Sequence, residues 1–585
     1  MKNLIARLAA LLLATLLLGA CASLSTSGPV ERVGQSPASR RSGGGVDIEP
    51  QPPRAGASPE VILAGFLAAM AGGEPDSASA RLYLTPNAQK VWNPGARVTI
   101  YESENNKPIT TATSATLNVQ VVGWLNERGQ YTADHRKLVH DFGMTRVDGE
   151  WRINQPPTGR LIARYLFDSY YESVPLGFLD AAGKHVIPES IYLPRESVNP
   201  TTLVRALVQG PSAWLRPAVL TAIPGDTRMS VNAVTVADGV AEVSLTNQIT
   251  GLAEDQRTQV AAQLVSTLAY FGHLRGVRIL ADGQPWPVPG ASDGVVPMTA
   301  FSEWQLLDDQ PEPQAYAIRK GRVGIIDSQA PGGLVFLGGR LGKGGWGAQP
   351  NLLAVHRSGD VIAVVNTQRD QLHVAQPGSD NVRLAHRGVK LLRPQVLADR
   401  SVVTIDHTGN GPMLVHLDAS GALHRTLLPG LAGTEVINFR ISPDRTRLTM
   451  VVRRSGQTVL GHMRIRGTDR LALDQWQPVP LTAASGPLTN VADIAWAESE
   501  VMLVLASSDG EAGQWSVYRV RADGSRADNL GSGASSGGAV AVTAQPRRSG
   551  TSACFISEDR NVYQFQGSFR WDRLLEDATF VALPG

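Results

Sequence analysis

The chain has 585 residues, 43% hydrophobic and 18% charged, more than a single hydrophobic core serves, so about three or four domains are expected. Its 54 Lys and Arg nearly balance 52 Asp and Glu, for a formal net charge of +2. That balance gives no electrostatic case for nucleic acid as a partner.

The first segment, MKNLIARLAALLLATLLLGAC, carries Lys2 and Arg7 ahead of an apolar run over residues 8–18. The run has the length of a signal h-region and falls short of the roughly twenty apolar residues a membrane-spanning helix needs. Leu18-Gly19-Ala20-Cys21 then matches the bacterial lipobox, in which the cysteine thiol takes a diacylglyceryl group and the new N-terminus is acylated after cleavage. An ordinary signal peptide would end in an A-x-A-like site and would have no need of the cysteine. Residues 1–20 are therefore read as a lipoprotein signal peptide and Cys21 as the lipidation site, S-diacylglycerol and N-acyl. Two or three acyl chains anchor stably where one does not. Cys554, the other cysteine, would then have no intrachain partner, and beside Phe555 and Ile556 it reads as a small buried apolar residue. No second run of about twenty apolar residues follows, so the mature chain is expected to be tethered to the membrane rather than to span it.

Residues 21–54 are the lipidated N-terminus and a flexible tether rich in Ser, Gly, Pro and Arg, with a coil reach of about 30 Å. Residues 55–160 open with SPEVILAGFLAAMAGG, where Ser58 is a good N-cap, Pro59 suits the first helical position and Gly72-Gly73 ends the helix. ASARLYLTPNAQKVW reads as a second helical stretch. Strand-like runs follow, the last with a hairpin turn at Asp148-Gly149. Helices leading into a curved antiparallel sheet resemble the cone-shaped nuclear-transport-factor-like or cystatin-like α+β folds.

Residues 161–295 form an α/β unit. VPLGFLDAAGKHVIPESIYLP reads as a hairpin, and NPTTLVRALVQGPS as an amphipathic helix with Leu203, Ala206 and Leu207 on one face, ended by Gly210-Pro211. Two strands turn at Asp238-Gly239, EDQRTQVAAQLVSTLAYFG is a longer helix, and VRILADGQPW a last strand. LVRALVQGPS, TAIPGDTR, DGVAEVSL and VRILADG closely resemble the GerMN domain of envelope and sporulation lipoproteins, which implies a binding or interaction module.

From 300 to 585 the pattern changes to short strands and tight turns, recurring about every 40–55 residues with anchors near Leu352, Leu391, Val436, Val491 and Ala539. That period fits a β-propeller of about six blades, with five or seven also compatible. Ser442-Pro443-Asp444 resembles the S-P-D-G turn of TolB-type propellers, with Arg445 in place of Gly. A C-terminal strand in ATFVALPG is expected to pair with AYAIRKGRVGIID and close the ring.

Most motif matches fail on context. Residues 342–347 match G-x-G-x-x-G, but AQPNLLAV follows where a nucleotide site needs a helix. Residues 290–294 match G-x-S-x-G around Ser292, but they sit in a Pro-rich linker rather than a strand-to-helix elbow. His135 and His140, near Asp134 and Asp141, are spaced by five in a strand-like context and do not form a metal set; Asp308-Asp309 offers at most a weak cation contact. No catalytic residue, cofactor or metal is assigned, and an enzyme is not expected.

Lipobox, tether, cone-like domain, GerMN-like module and propeller, in that order, resemble the actinobacterial LpqB lipoprotein family along essentially the whole chain. The fold class is accordingly multidomain, mixed α+β and all-β. The resemblance implies a lipoprotein on the outer face of the cytoplasmic membrane, an accessory or regulator of a two-component system of the MtrA–MtrB type. The expected partner is the extracytoplasmic domain of the sensor histidine kinase MtrB. The alternative is a cell-wall or carbohydrate ligand binder, which a cluster of exposed aromatics around one mouth would favour.

Overall fold

The computed structural model describes residues 51–72, 77–102, 108–111, 113–308, 313–345, 347–467, 471–508, 515–531 and 538–585. Helix α1 (Pro59–Ala71) begins after Ser58 in an extended conformation and ends at Gly72. It buries Ile62, Leu63, Phe66 and Met70, with Phe66 edge-on to Phe142 at 6.1 Å. Tyr83 lies so close to α1 that a Cβ at Gly65 would stand 2.5 Å from its hydroxyl oxygen; that hydroxyl donates to the Gln51 carbonyl at 2.7 Å. The second helical stretch is two short helices, Ala78–Arg81 and Pro86–Val91. They are parted because Leu84 bridges to Ile153 and the Thr85 amide donates to the Ile153 carbonyl.

The sheet behind α1 is built on β1 (Val98–Glu102) and the long β2 (Ala115–Leu125). Arg160–Ala163 runs parallel to β1, while Tyr131–Ala133 and Lys137–Asp141 pair antiparallel with β2. A bulge between Ile100 and Tyr101 bends this sheet, and its core is shared with α1, Trp92, Phe142 and Tyr171. Met144–Val147 and Glu150–Ile153 form the expected hairpin. Its turn residues Asp148 and Gly149 have φ of 51° and 83°, as a type I′ turn requires.

In the next region the hairpin Tyr171–Leu179/Val186–Pro194 packs under helices α2 (Pro200–Val208) and α3 (Glu254–Leu268). Asn199 caps α2 by accepting from the Thr202 amide at 3.0 Å. α2 buries Leu203, Val204 and Leu207, whereas Ala206 is only half-buried. From α3, the fully buried Gln263 donates to the Gly177 carbonyl at 3.0 Å and accepts from the Ala222 amide at 2.7 Å. It thereby stitches the hairpin to the loop after α2. The second sheet pairs Val240–Leu245 parallel with Gly276–Ala281.

One expectation is corrected here. The supposed Pro-rich linker is partly sheet: Val295–Pro297 pairs antiparallel with Gly276–Arg278, and Val296 and Phe301 are in the core. Pro297 fits because this is an edge strand, where a missing N–H breaks no ladder.

The last region comprises six sheets among the described residues, arranged as propeller blades. The innermost strands of blades 2 to 6 are Pro350–Val355, Gln395–Val396, Glu435–Ile441, Gly486–Glu498 and Ala539–Gln545. The five sequence anchors fall on or just before them. Blade 1 is completed by the C-terminal strand: Phe580, Val581 and Ala582 pair with Ile318, Ala317 and Tyr316. Cys554 is fully buried in blade 6. Ser442-Pro443-Asp444-Arg445 is a tight turn in which the Asp444 carboxylate accepts from the Thr446 amide at 3.0 Å. Arg445 adopts φ 56°, the conformation that glycine occupies more easily.

Candidate functional site

The three regions meet at one strand, Val186–Pro194. Side chains alternate across a strand. On one side Ile187 and Ile191 enter the α/β core and the buried Glu189 accepts from the Ser212 amide at 3.0 Å. Ser190 and Tyr192 point the other way, to the propeller. The Glu500 carboxylate accepts from the Ser190 amide at 3.0 Å and from its hydroxyl at 2.6 Å. Arg521 donates to the same hydroxyl oxygen at 2.6 Å.

Tyr192 belongs to all three regions. Its backbone lies in the hairpin and its amide donates to the Gly129 carbonyl at 2.8 Å. Its ring packs among Tyr131 and Phe167 of the first core, with centroids 5.8 and 5.5 Å away. Its hydroxyl donates to Asp523 of the propeller at 2.8 Å and, that proton being spent, accepts from Ser525 at 2.6 Å. Burial, with the Asp523 charge behind it, raises the Tyr192 pKa well above that of an ordinary phenol, so it stays a donor. Burial lowers the Arg521 pKa, but Tyr192, Glu500 and Asp523 together outweigh it and hold the guanidinium above its usual value. Burial raises the Glu500 pKa, opposed by Arg521.

These contacts wall a cleft of about 240 Å³ lined from all three regions, including Gln130, Tyr131, Trp214, Arg447, His462 and Gln477. Arg464 donates to the Trp214 carbonyl at 2.6 Å and is clamped by Asp474 through two nitrogens at 2.9 and 3.1 Å. Arg447 sits over the Trp214 ring, 5.3 Å from its centre. His462 donates through Nε2 to the Ala522 carbonyl at 2.7 Å and accepts at Nδ1 from Thr449 at 2.9 Å. That pattern is the neutral ring, and burial pushes its pKa down to about 4. The charged groups of the cleft thus hold the regions together. The Trp214 Nε1 is a buried donor with no hydrogen-bond partner.

The motif residues lie elsewhere and do not converge. Cys21 lies outside the described residues, as do Asp309 and Trp346. Asp308 accepts from Arg357 at 2.8 Å. Gly342 lies inside a short helix, Gly339–Lys343, that precedes, rather than follows, the rest of the glycine-rich turn, and the strand Pro350–Val355 comes after it. Ser292 bridges to Val295 across a hairpin turn with Asp293 and Gly294 at positive φ, not a nucleophile elbow. His135 is exposed beside Asp134, and His140 contacts the Gln155 carbonyl at 2.9 Å. No group of three His, Cys, Asp or Glu able to hold a metal occurs among the described residues. Sequence reading did not weigh Ser358, His356 and Asp360, which do touch. However, serine and aspartate share the same His356 Nδ1, both at 2.7 Å, so the histidine does not stand between nucleophile and acid as a triad requires. They brace a turn.

The model described as "Lipoprotein LpqB, N-terminal domain" matches residues 52–168. The one described as "Sporulation and spore germination" matches residues 175–286, and "Lipoprotein LpqB beta-propeller domain" matches residues 339–581. A protein of Cutibacterium acnes named Lipoprotein LpqB is 32% identical over 595 residues, covering 99% of both chains. The chain belongs to the LpqB lipoprotein family. Relatives of that name from Thermobifida fusca and Rhodococcus opacus are 25% and 26% identical, covering 97% and 94% of this chain and 97% and 91% of theirs. Among solved structures, TolB from Acinetobacter baumannii overlaps 46% of this chain and 66% of its own at 12% identity and a TM-score of 0.31. The relationship extends over every region of this chain that meets at Tyr192.

Proposed function

We propose that this LpqB family member is anchored by lipid at Cys21 on the outer face of the cytoplasmic membrane. There it acts through protein–protein contacts as an accessory or regulator of a two-component sensor histidine kinase of the MtrA–MtrB type, meeting the kinase's extracytoplasmic domain. The observation that carries this reading is the end-to-end relationship to LpqB lipoproteins, together with the lipobox at residues 18–21. Among the described residues no helix is long and apolar enough to cross a membrane, which is compatible with a lipid anchor. The charged cleft is committed to joining the three regions, so the body offers its partner broad joined surfaces. Confinement of both partners to one membrane raises their effective concentration, and a weak contact then suffices. The cell-wall ligand reading has less support, because the most exposed aromatics among the described residues, Tyr165 and Phe569, sit in different regions.

The test compares wild type, Cys21→Ser and Cys554→Ser in a strain lacking the protein. Cys21→Ser is expected to lose fatty-acid labelling and membrane retention, while Cys554→Ser stays anchored. A released form with a cleavable signal is expected to bind the kinase's external domain weakly and fail to restore kinase-dependent gene output. Full rescue by the released form, or kinase output unchanged by deleting the protein, refutes the reading.

A further inference from the structure

Arg393, just ahead of the innermost strand of blade 3, and Arg440, on that of blade 4, line one small cavity. The side-chain carboxylate nearest them is Asp493 of blade 5, with Oδ2 3.9 Å from the Arg393 Nη1, and the terminal Gly585 also lines the cavity. Asp493 is already occupied: its oxygens accept from the Val542 amide at 2.8 Å, the Ile494 amide at 2.8 Å and the Asn438 side chain. Arg393 is spent as well, donating to the Val542 carbonyl and the Thr543 hydroxyl, both at 2.9 Å.

Arg440 differs. It is 5% exposed, its Nη1 donates to the Phe439 carbonyl at 2.5 Å, and its Nη2 is buried with no hydrogen-bond partner. Trp496 lines the same cavity, is 3% exposed, and its Nε1 is likewise buried without a partner. Both vacancies are donors. A buried donor left unmade is costly, and so is a buried cation without its counter-charge. Water would satisfy a donor but not the charge, whereas an anion satisfies both. The cavity is about 30 Å³, room for one or two water-sized atoms and nothing as large as a sugar. It adjoins a second cavity of about 80 Å³ that shares Gln395, Pro546 and Gly585 with it and is lined also by Leu306 and Leu307.

We propose that the channel binds a small monovalent anion of chloride size, held by the Arg440 guanidinium and the Trp496 indole N–H beside Arg393. Burial, reinforced by the Arg393 charge, pushes the Arg440 pKa down to about 9, in keeping with a cation short of counter-charge. The anion would restore balance where blades 3 to 5 converge and so stabilise the ring.

The test melts the purified full chain in sodium chloride and in sodium gluconate at equal ionic strength, gluconate being too large for the cavity. Wild type is expected to melt about 2 °C or more higher in chloride, with a saturable dependence on chloride concentration, and Arg440→Met is expected to lose that increment. Crystals of wild type grown in bromide are expected to show an anomalous peak within hydrogen-bond distance of Arg440 Nη2. This readout stands even where the variant does not fold. Equal wild-type melts in the two salts overturn the proposal, as does a water or the Gly585 carboxylate at the site with no bromide peak.

Discussion

Removing residues 578–585 tests whether the ring is closed by its last strand. Three side chains of that segment, Phe580, Val581 and Leu583, are 6%, 2% and 5% exposed. Re-exposing them costs about 1.5–3 kcal/mol each, so about 5–9 kcal/mol as an upper estimate. The deletion also strips the hydrogen bonds to Tyr316–Ile318, the Leu583 amide bond to Thr543, and the Phe580 ring beneath Arg393 at 5.0 Å. A domain is typically stable by only about 5–15 kcal/mol. At about 2–4 °C per kcal/mol for a domain of this size, the propeller transition should fall by more than about 10 °C. Phe580→Ala, which leaves the strand in place, should fall part of the way, for a cost of about 3–5 kcal/mol. Calorimetry of the full chain reads both, and hydrogen exchange should show amides of Tyr316–Arg319 losing protection in the deletion alone. A deletion that melts within about 2 °C of wild type, with those amides still protected, would refute the closure.

Two further outcomes follow from the junction. Tyr192→Phe removes one hydroxyl that serves both Asp523 and Ser525; denaturant unfolding should show a loss of about 1–3 kcal/mol, and limited proteolysis should separate the propeller from the preceding regions sooner. His462 makes stability pH-dependent. Above its unfolded pKa of about 6.5 both states hold the ring neutral, but between there and its folded value of about 4 only the unfolded chain takes the proton, so stability falls with pH across that window. Between pH 7 and 4.5 wild type should lose about 2–3 kcal/mol more than His462→Gln does, and equal losses would contradict the buried neutral ring. Glu500 works in the opposite direction, since its raised pKa makes the folded state hold a proton more tightly; comparison with the variant cancels it.

Much of the fold was legible because it rests on local chemistry. Asp148-Gly149 and Asp238-Gly239 both adopt the paired positive φ that their sequence demands, and the propeller anchors recur because each blade repeats one inward strand. The edge strand Val295–Pro297 was missed because its prolines argue for a linker and its partner, Gly276–Arg278, is known only from the fold. The break at Leu84 was missed for the same reason: helix propensity there yields to a bridge with Ile153, far along the chain. The junction left no motif at all. Ser190, Tyr192, Glu500 and Asp523 look like ordinary surface residues until two regions about 310 residues apart in sequence are brought into contact. The channel arginines are equally silent, since only ring closure brings blades 3, 4 and 5 around one axis.

The strand Val186–Pro194 also constrains how the body can move. Its register assigns alternate side chains to different owners, so a slip of one residue would hand Ile191 to the propeller and Tyr192 to the α/β core. A hinge usually keeps its contacts on one side and lets the other slide. Here any twist between propeller and α/β unit loads the Tyr192 hydroxyl, the Ser190–Glu500 pair and the Gly129 carbonyl bond together. Small tilts are resisted and a large one breaks all three. A push on the propeller is therefore delivered, through one tyrosine, to the region whose Tyr83 holds the chain at Gln51, the point at which the polypeptide leads back toward its N-terminus.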